Sequence, residues 1–170
     1  MSSRLRYLVA VTDSGKLFQF DPQRQYAEIA KTQAHSTYIL RCKLSPDDRY
    51  IATTSADGTA NLWLADGLEP HVSLREHEKW VWDCDFSADS DYCVTASSDA
   101  NARLWDVETG KMITVLKGHH KAVTCTAIND SHAFEVAHQA SQQHQQSHQA
   151  NQPQRSQPSQ QKPQRQQPQH

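Results

Sequence analysis

The chain has 170 residues and a mass of 19.3 kDa, with 17 Lys and Arg against 19 Asp and Glu. Every acidic residue precedes residue 136, so the longer first part is net acidic and lacks the basic patch that nucleic acid requires. No apolar run reaches the roughly 18 residues of a membrane-spanning helix, and Tyr7–Val11 is too short for a signal-peptide core.

In chain order, Tyr7–Thr12, Lys16–Phe20 and Tyr26–Lys31 read as three short strands, making residues 1–33 a partial unit that holds strands b, c and d. A complete unit follows over residues 34–75, and laid without a gap on residues 76–117 it matches at His35/His77, Cys42/Cys84, Ser45/Ser87, Asp47/Asp89 and Tyr50/Tyr92. The match continues at Thr53/Thr95, Ser55/Ser97, Asp57/Asp99, Ala60/Ala102, Leu62/Leu104, Trp63/Trp105 and Leu74/Leu116.

Each copy predicts four strands. The first, Ile39–Leu44, places Leu40, Cys42 and Leu44 on one face, and its counterpart places Trp82, Cys84 and Phe86 there. Turns at Ser45-Pro46-Asp47-Asp48 and Ser87-Ala88-Asp89-Ser90 lead to second strands at Tyr50–Ser55 and Tyr92–Ser97. After Ala56-Asp57-Gly58 or Ser98-Asp99-Ala100, a third strand ends in Leu62-Trp63 or Leu104-Trp105. Fourth strands fall at His71–Leu74 and Met112–Leu116. A third copy opens at Gly118-His119, so residues 118–130 supply one further first strand at Val123–Ile128. Four strands per repeat of this length is the signature of a β-propeller blade, and the fold class is all-β, with about three blades' worth of antiparallel strands.

Pro153, Pro158, Pro163 and Pro168 recur in a Gln- and His-rich background over residues 131–170. This composition cannot offset chain entropy by burying apolar surface, and the segment is expected to be a disordered tail. Cys42, Cys84, Cys93 and Cys125 form no CxxC pair, so no metal site or disulfide framework is signalled; no cofactor is expected, and the setting is a reduced one, cytoplasmic with a nuclear fraction.

Gly118-His119 and Trp105-Asp106 are the GH and WD dipeptides, and here the residues resemble the WD40-repeat family. Trp80-Val-Trp82-Asp-Cys-Asp-Phe-Ser, Thr95-Ala-Ser-Ser-Asp99, Val107-Glu-Thr-Gly110 and Gly118-His-His-Lys-Ala-Val123 narrow the resemblance to the G-protein-β-like WD-repeat subunits of TOR (target of rapamycin) kinase complexes, over about residues 34–130. That family has seven repeats, so the chain resembles a shortened form lacking about four. The resemblance implies one buried tetrad per blade: His35, Thr53, Asp57 and Trp63 in the first complete copy, His77, Thr95, Asp99 and Trp105 in the second. Ser55 and Ser97 share the strand parity of the threonines and remain alternatives to them. Because each His/Asp set recurs with a Trp in every copy, its expected role is structural, and no enzyme is expected.

The resemblance further implies a scaffold that binds the TOR kinase catalytic region in nutrient and growth signalling. Trp80, Trp82 and Tyr38, which holds Trp80's place in the preceding copy, are the expected partner contacts, because large aromatics dominate interface energetics. Trp82 also shares the parity of Cys84 and Phe86, which favours the core instead. The alternatives are a generic WD-repeat adaptor, such as a ubiquitin-ligase receptor or chromatin scaffold, or a non-functional truncated copy. Propellers close with four or more blades, so three blades' worth leaves edges open. The first reading is a shortened or incomplete member of the family; an open partial propeller completed by another protein, and two chains in a six-bladed ring, are the other two.

Overall fold

The computed structural model describes residues 6–129, and the expected tail over residues 131–170 lies outside them. The strands are β1 (Leu8–Val11), β2 (Lys16–Asp21), β3 (Ala27–Gln33), β4 (Ile39–Leu44), β5 (Tyr50–Ser55) and β6 (Ala60–Leu64). They continue with β7 (Glu69–Leu74), β8 (Val81–Phe86), β9 (Tyr92–Ser97), β10 (Ala102–Asp106) and β11 (Met112–Leu116). They form three antiparallel sheets in simple up-and-down order, β1-β2-β3, β4-β5-β6-β7 and β8-β9-β10-β11. Among the described residues, no helix is long and apolar enough to cross a membrane.

The repeat seen in the sequence is reproduced in the turns. Ser45 Oγ donates to Asp47 Oδ1 at 2.6 Å and accepts the Tyr50 amide, while Asp47 Oδ1 accepts the Arg49 amide. Ser87, Asp89, Asp91 and Tyr92 repeat every one of these bonds. A serine and an aspartate two residues apart thereby satisfy the backbone of a tight turn, which is why the pair stands between first and second strands in both copies.

One strand assignment requires correction. In both complete sheets the first strand carries a register shift, between Ile39 and Arg41 and between Val81 and Asp83. An extra residue inverts the in/out alternation on its far side. Ile39 and Val81 consequently enter the core, whereas Leu40 and Trp82 are only partly buried. Val123–Ile128, expected as a strand, belongs to no sheet: no ladder partner stands beside it among the described residues.

Two apolar clusters cement neighbouring sheets. Leu17 and Ala34 meet Ile39, Ile51 and Trp63, with Val9 and Val11 of β1 against them. Leu62 and Leu74 meet Val81, Cys84, Phe86 and Trp105. Each sheet therefore buries one face on the next, the inner strands β4 and β8 lying side by side.

The turn after each second strand needs a left-handed residue, met by Gly15 at φ 78° and Gly58 at φ 85°, but by Ala100 at φ 69°. A side chain at Gly15 would stand 2.2 Å from the His35 carbonyl oxygen. Left-handed backbone costs an L-residue about 1–2 kcal/mol, part of which glycine returns as chain entropy in the unfolded state. Ala100→Gly is expected to stabilise the protein by roughly 0.5–1 kcal/mol, read from urea unfolding, while Gly15→Ala destabilises it.

Candidate functional site

In the first complete sheet, His35 lies in the connection from β3, Thr53 on β5, Asp57 in the following turn and Trp63 on β6. The Trp63 indole N–H donates to Thr53 Oγ1 at 3.0 Å, Thr53 Oγ1 and His35 Nε2 are 2.8 Å apart, and His35 Nδ1 meets Asp57 Oδ2 at 3.1 Å. The second sheet repeats the chain: Trp105 to Thr95 at 2.9 Å, Thr95 to His77 at 2.7 Å, and His77 to Asp99 at 2.9 Å. One protonation pattern satisfies both sets: a neutral imidazole donates from Nδ1 to the carboxylate and accepts the threonine proton at Nε2.

Both imidazoles are fully buried. Burial pushes each His below its ordinary value against the raising effect of its Asp. Burial also works to raise the two carboxyls, but hydrogen bonds outweigh it: Thr59 and His35 hold Asp57 low, and His77 and Arg103 hold Asp99 well below the usual carboxylate range. Ser55 and Ser97, the alternatives to the threonines, do other work, bonding the Tyr38 and Lys79 carbonyls and capping the turns at the Asp57 and Asp99 amides.

The tetrads have members that the sequence did not single out. Thr59 Oγ1 donates to Asp57 Oδ1 at 2.7 Å, and Asn61 holds the carbonyl of Ala34. In the second copy, Arg103 stands where the first has Asn61; its Nη1 donates to Asp99 Oδ2 at 2.6 Å and lies against His77 Nδ1. The only available signal was the difference itself, Asn in one copy and Arg in the other. The opening sheet has no such set, since Phe20 and Ala10 hold the register positions of Trp63 and Thr53.

A second arrangement links inner strands. Arg41 and Lys43 of β4 pair with Asp83 and Asp85 of β8. The same two aspartates accept the amides of Thr126 at 3.1 Å and Ile128 at 3.0 Å, so each carboxylate joins the strand before it to the segment after it.

Of the aromatic residues expected at a partner surface, Tyr38 and Trp80 lie on one rim, in the corresponding loops before β4 and β8. Tyr38 and Trp80 are 53% and 47% exposed, and their carbonyls accept the amides of Ala56 and Ser98. Trp82 sits at the register shift, half-buried, its indole N–H donating to Ser98 Oγ at 2.6 Å. The Trp80 and Trp82 rings lie 5.4 Å apart, tilted by 55°. With its N–H already satisfied, Trp82 buttresses Trp80, whose face opens on a groove lined by Ala56, Asp57, Gly58, Glu78, Lys79 and Ser98.

Removing one hydroxyl should expose how the tetrad is held. Thr95→Val leaves the Trp105 N–H and a His77 nitrogen buried without a partner, at about 1–3 kcal/mol each, so a loss of roughly 2–6 kcal/mol is expected in urea unfolding. Acid should act in two stages. The depressed histidines favour the unfolded state as pH falls below the ordinary value of 6.5, and the depressed Asp57 and Asp99 do so below 3.8. Melting temperature measured against pH is expected to fall in both windows, with no gain on acidification.

The WD domain, G-beta repeat family matches residues 27–63 and 68–106. Each match begins on the outer strand of one sheet and ends on the third strand of the next, so the sequence repeat and the sheet are out of step by one strand. The chain is 58% identical over 104 residues to the Target of rapamycin complex subunit wat1 of Schizosaccharomyces pombe, covering 60% of this chain and 33% of that protein. It is 57% identical over 103 residues to the Target of rapamycin complex subunit LST8 of Saccharomyces cerevisiae, covering 60% of this chain and 34% of that one. With LST8 of Rattus norvegicus it shares 41% over 140 residues, or 74% of this chain and 43% of the relative. The chain thus spans about a third of the length of the yeast relatives that it matches. The chain carries WD40 repeats over residues 27–63 and 68–106 and is similar to these TOR complex subunits.

Proposed function

We propose that the protein is a non-enzymatic subunit of a TOR complex, presenting the Tyr38–Trp80–Trp82 rim to the catalytic region of the kinase in nutrient and growth signalling. The observation that carries this reading is Trp80. It is a large aromatic left 47% exposed on a rigid turn and braced by a second tryptophan, inside the region that is similar to TOR complex subunits. A pre-positioned indole loses little side-chain entropy on binding, which is why exposed, supported tryptophans recur as interface anchors. The cytoplasm is the proposed setting, a reading supported by four cysteines that are all free thiols.

The His–Asp pairs fit the structural side of this reading. Each imidazole is enclosed and both of its nitrogens are engaged, so neither is presented to a substrate.

Affinity purification of the tagged chain is expected to recover TOR kinase, and Trp80→Ala to reduce that recovery at least tenfold with the circular dichroism spectrum and melting temperature unchanged. Recovery of other assemblies without the kinase would favour a generic WD-repeat adaptor. Kinase recovery unaffected by Trp80→Ala would remove the rim from the proposal.

A further inference from the structure

The two copies of the rim loop differ where the repeat otherwise holds. Ser36-Thr37-Tyr38 before β4 becomes Glu78-Lys79-Trp80 before β8, so two charged side chains arrive together with the larger ring. The contact beneath the loop changes as well. In the first copy Gln33 Nε2 donates to the carbonyls of both Ser14 and His35 and so bridges one sheet to the next. Its counterpart Arg75 turns away to Ser73, and the His77 carbonyl accepts no hydrogen bond among the described residues. A groove of about 420 Å³ opens there, with Gly58 on one side and Lys79 and Trp80 on the other. That is at the lower end of the roughly 300–1,000 Å³ of ligand clefts, room for one long side chain and not for a helix.

The groove is rich in acceptors. The His77 and Lys79 carbonyl groups stand beside Gly58, their oxygens 3.3 and 3.5 Å from where a Cβ would lie, so glycine leaves space next to both. Asp57 adds a charge: burial works to raise its carboxyl, but bonds from Thr59 and His35 hold it low and ionised. Its oxygens are already occupied by Thr59, His35 and Ser36, so it acts through its field. Glu78 is exposed and forms no ion pair among the described residues, which leaves its carboxylate free to bond. The Trp80 ring presents the negative face of its quadrupole, and the tilted Trp82 ring braces it. Against two carboxylates, Lys79 is the one cation among the described lining residues, and its exposed stem lets the ammonium stay in water. The side-chain cation that lies over a ring among the described residues is Arg49, over Tyr50, so the Trp80 face carries none.

We propose, resting on the reading of the Trp80 rim as the partner surface, that this groove is a subsite for an arginine side chain of the partner polypeptide. Its guanidinium stacks on Trp80 and donates to Glu78 and to the His77 carbonyl. A guanidinium suits the site better than an ammonium because it is planar, stacks on an indole and holds five N–H donors in a fixed fork.

Titration of the isotope-labelled chain with N-acetyl-arginine methylamide tests this, followed by NMR at the tryptophan indole N–H groups and at the Gly58 and Glu78 amides. The Trp80, Gly58 and Glu78 signals are expected to shift saturably while Trp63 and Trp105 stay in place. The citrulline analogue, which has the same shape without the charge, should bind about threefold or more weakly. Glu78→Gln should weaken the arginine compound about two- to fivefold, and Trp80→Leu should abolish the shifts at Gly58 and Glu78, each with an unchanged melting temperature. Equal affinity for the citrulline compound, a tighter response to N-acetyl-glutamate methylamide, or no shift at Trp80 up to the solubility of the probe would overturn the proposal. The TOR reading fails separately. An arginine response in a chain that recovers no TOR kinase leaves the subsite standing without that reading, whereas kinase recovery with no arginine response at Trp80 does the reverse.

Discussion

A threonine hydroxyl in a dry β-sheet interior must find partners for its proton and its lone pairs, and here Thr53 and Thr95 find the same two, an imidazole and an indole. The rest of each blade is arranged around this demand. The indole comes from the third strand, the hydroxyl from the second, the carboxylate from the turn between them, and the imidazole from the connection arriving out of the previous sheet. Four separate pieces of chain are therefore fixed by three bonds. The histidine does most for the fold at long range, since placing it also places the entry of its first strand.

What holds one sheet to the next is mainly apolar. Val81, Cys84 and Phe86 bury against Leu62 and Leu74 of the neighbouring sheet, and at about 25 cal/mol per Å² this area outweighs the charge pairs above it. Arg41 and Lys43 stay 52% and 38% exposed, so their pairs with Asp83 and Asp85 contribute about 0–1 kcal/mol each. Their value lies in register. Two cations on one strand meet two acids on the next only when the inner strands are aligned residue for residue.

The repeat, the four-stranded unit and the turns were readable from the sequence, because each depends on a residue type recurring at a fixed spacing; the tetrads came only as what the family resemblance implied. The rest was hidden for identifiable reasons. A register shift inside β4 and β8 reversed the expected roles of Ile39 and Leu40 and of Val81 and Trp82, since period-2 alternation cannot show where an extra residue is inserted. Arg103 escaped notice because it breaks the repeat instead of obeying it. Asp83 and Asp85 read as ordinary polar positions of a half-buried strand; their partners come from other blades, and no local pattern brings Arg41 beside Asp83. Val123–Ile128 matched a strand in its residues but has no ladder partner among the described residues, and strand formation is a property of two segments.

Each complete blade is held together by its buried indole–hydroxyl–imidazole–carboxylate chain. Hydrogen exchange at the four tryptophan indole N–H groups, resolved by NMR, tests this most directly, since two belong to tetrads, one to a surface bond with Ser98 and one is half-exposed. Trp63 and Trp105 are predicted to exchange only on global unfolding, as slowly as the most protected core amides, with Trp82 faster and Trp80 fastest. Exchange at Trp63 and Trp105 as rapid as at Trp80, in the folded protein, would contradict it.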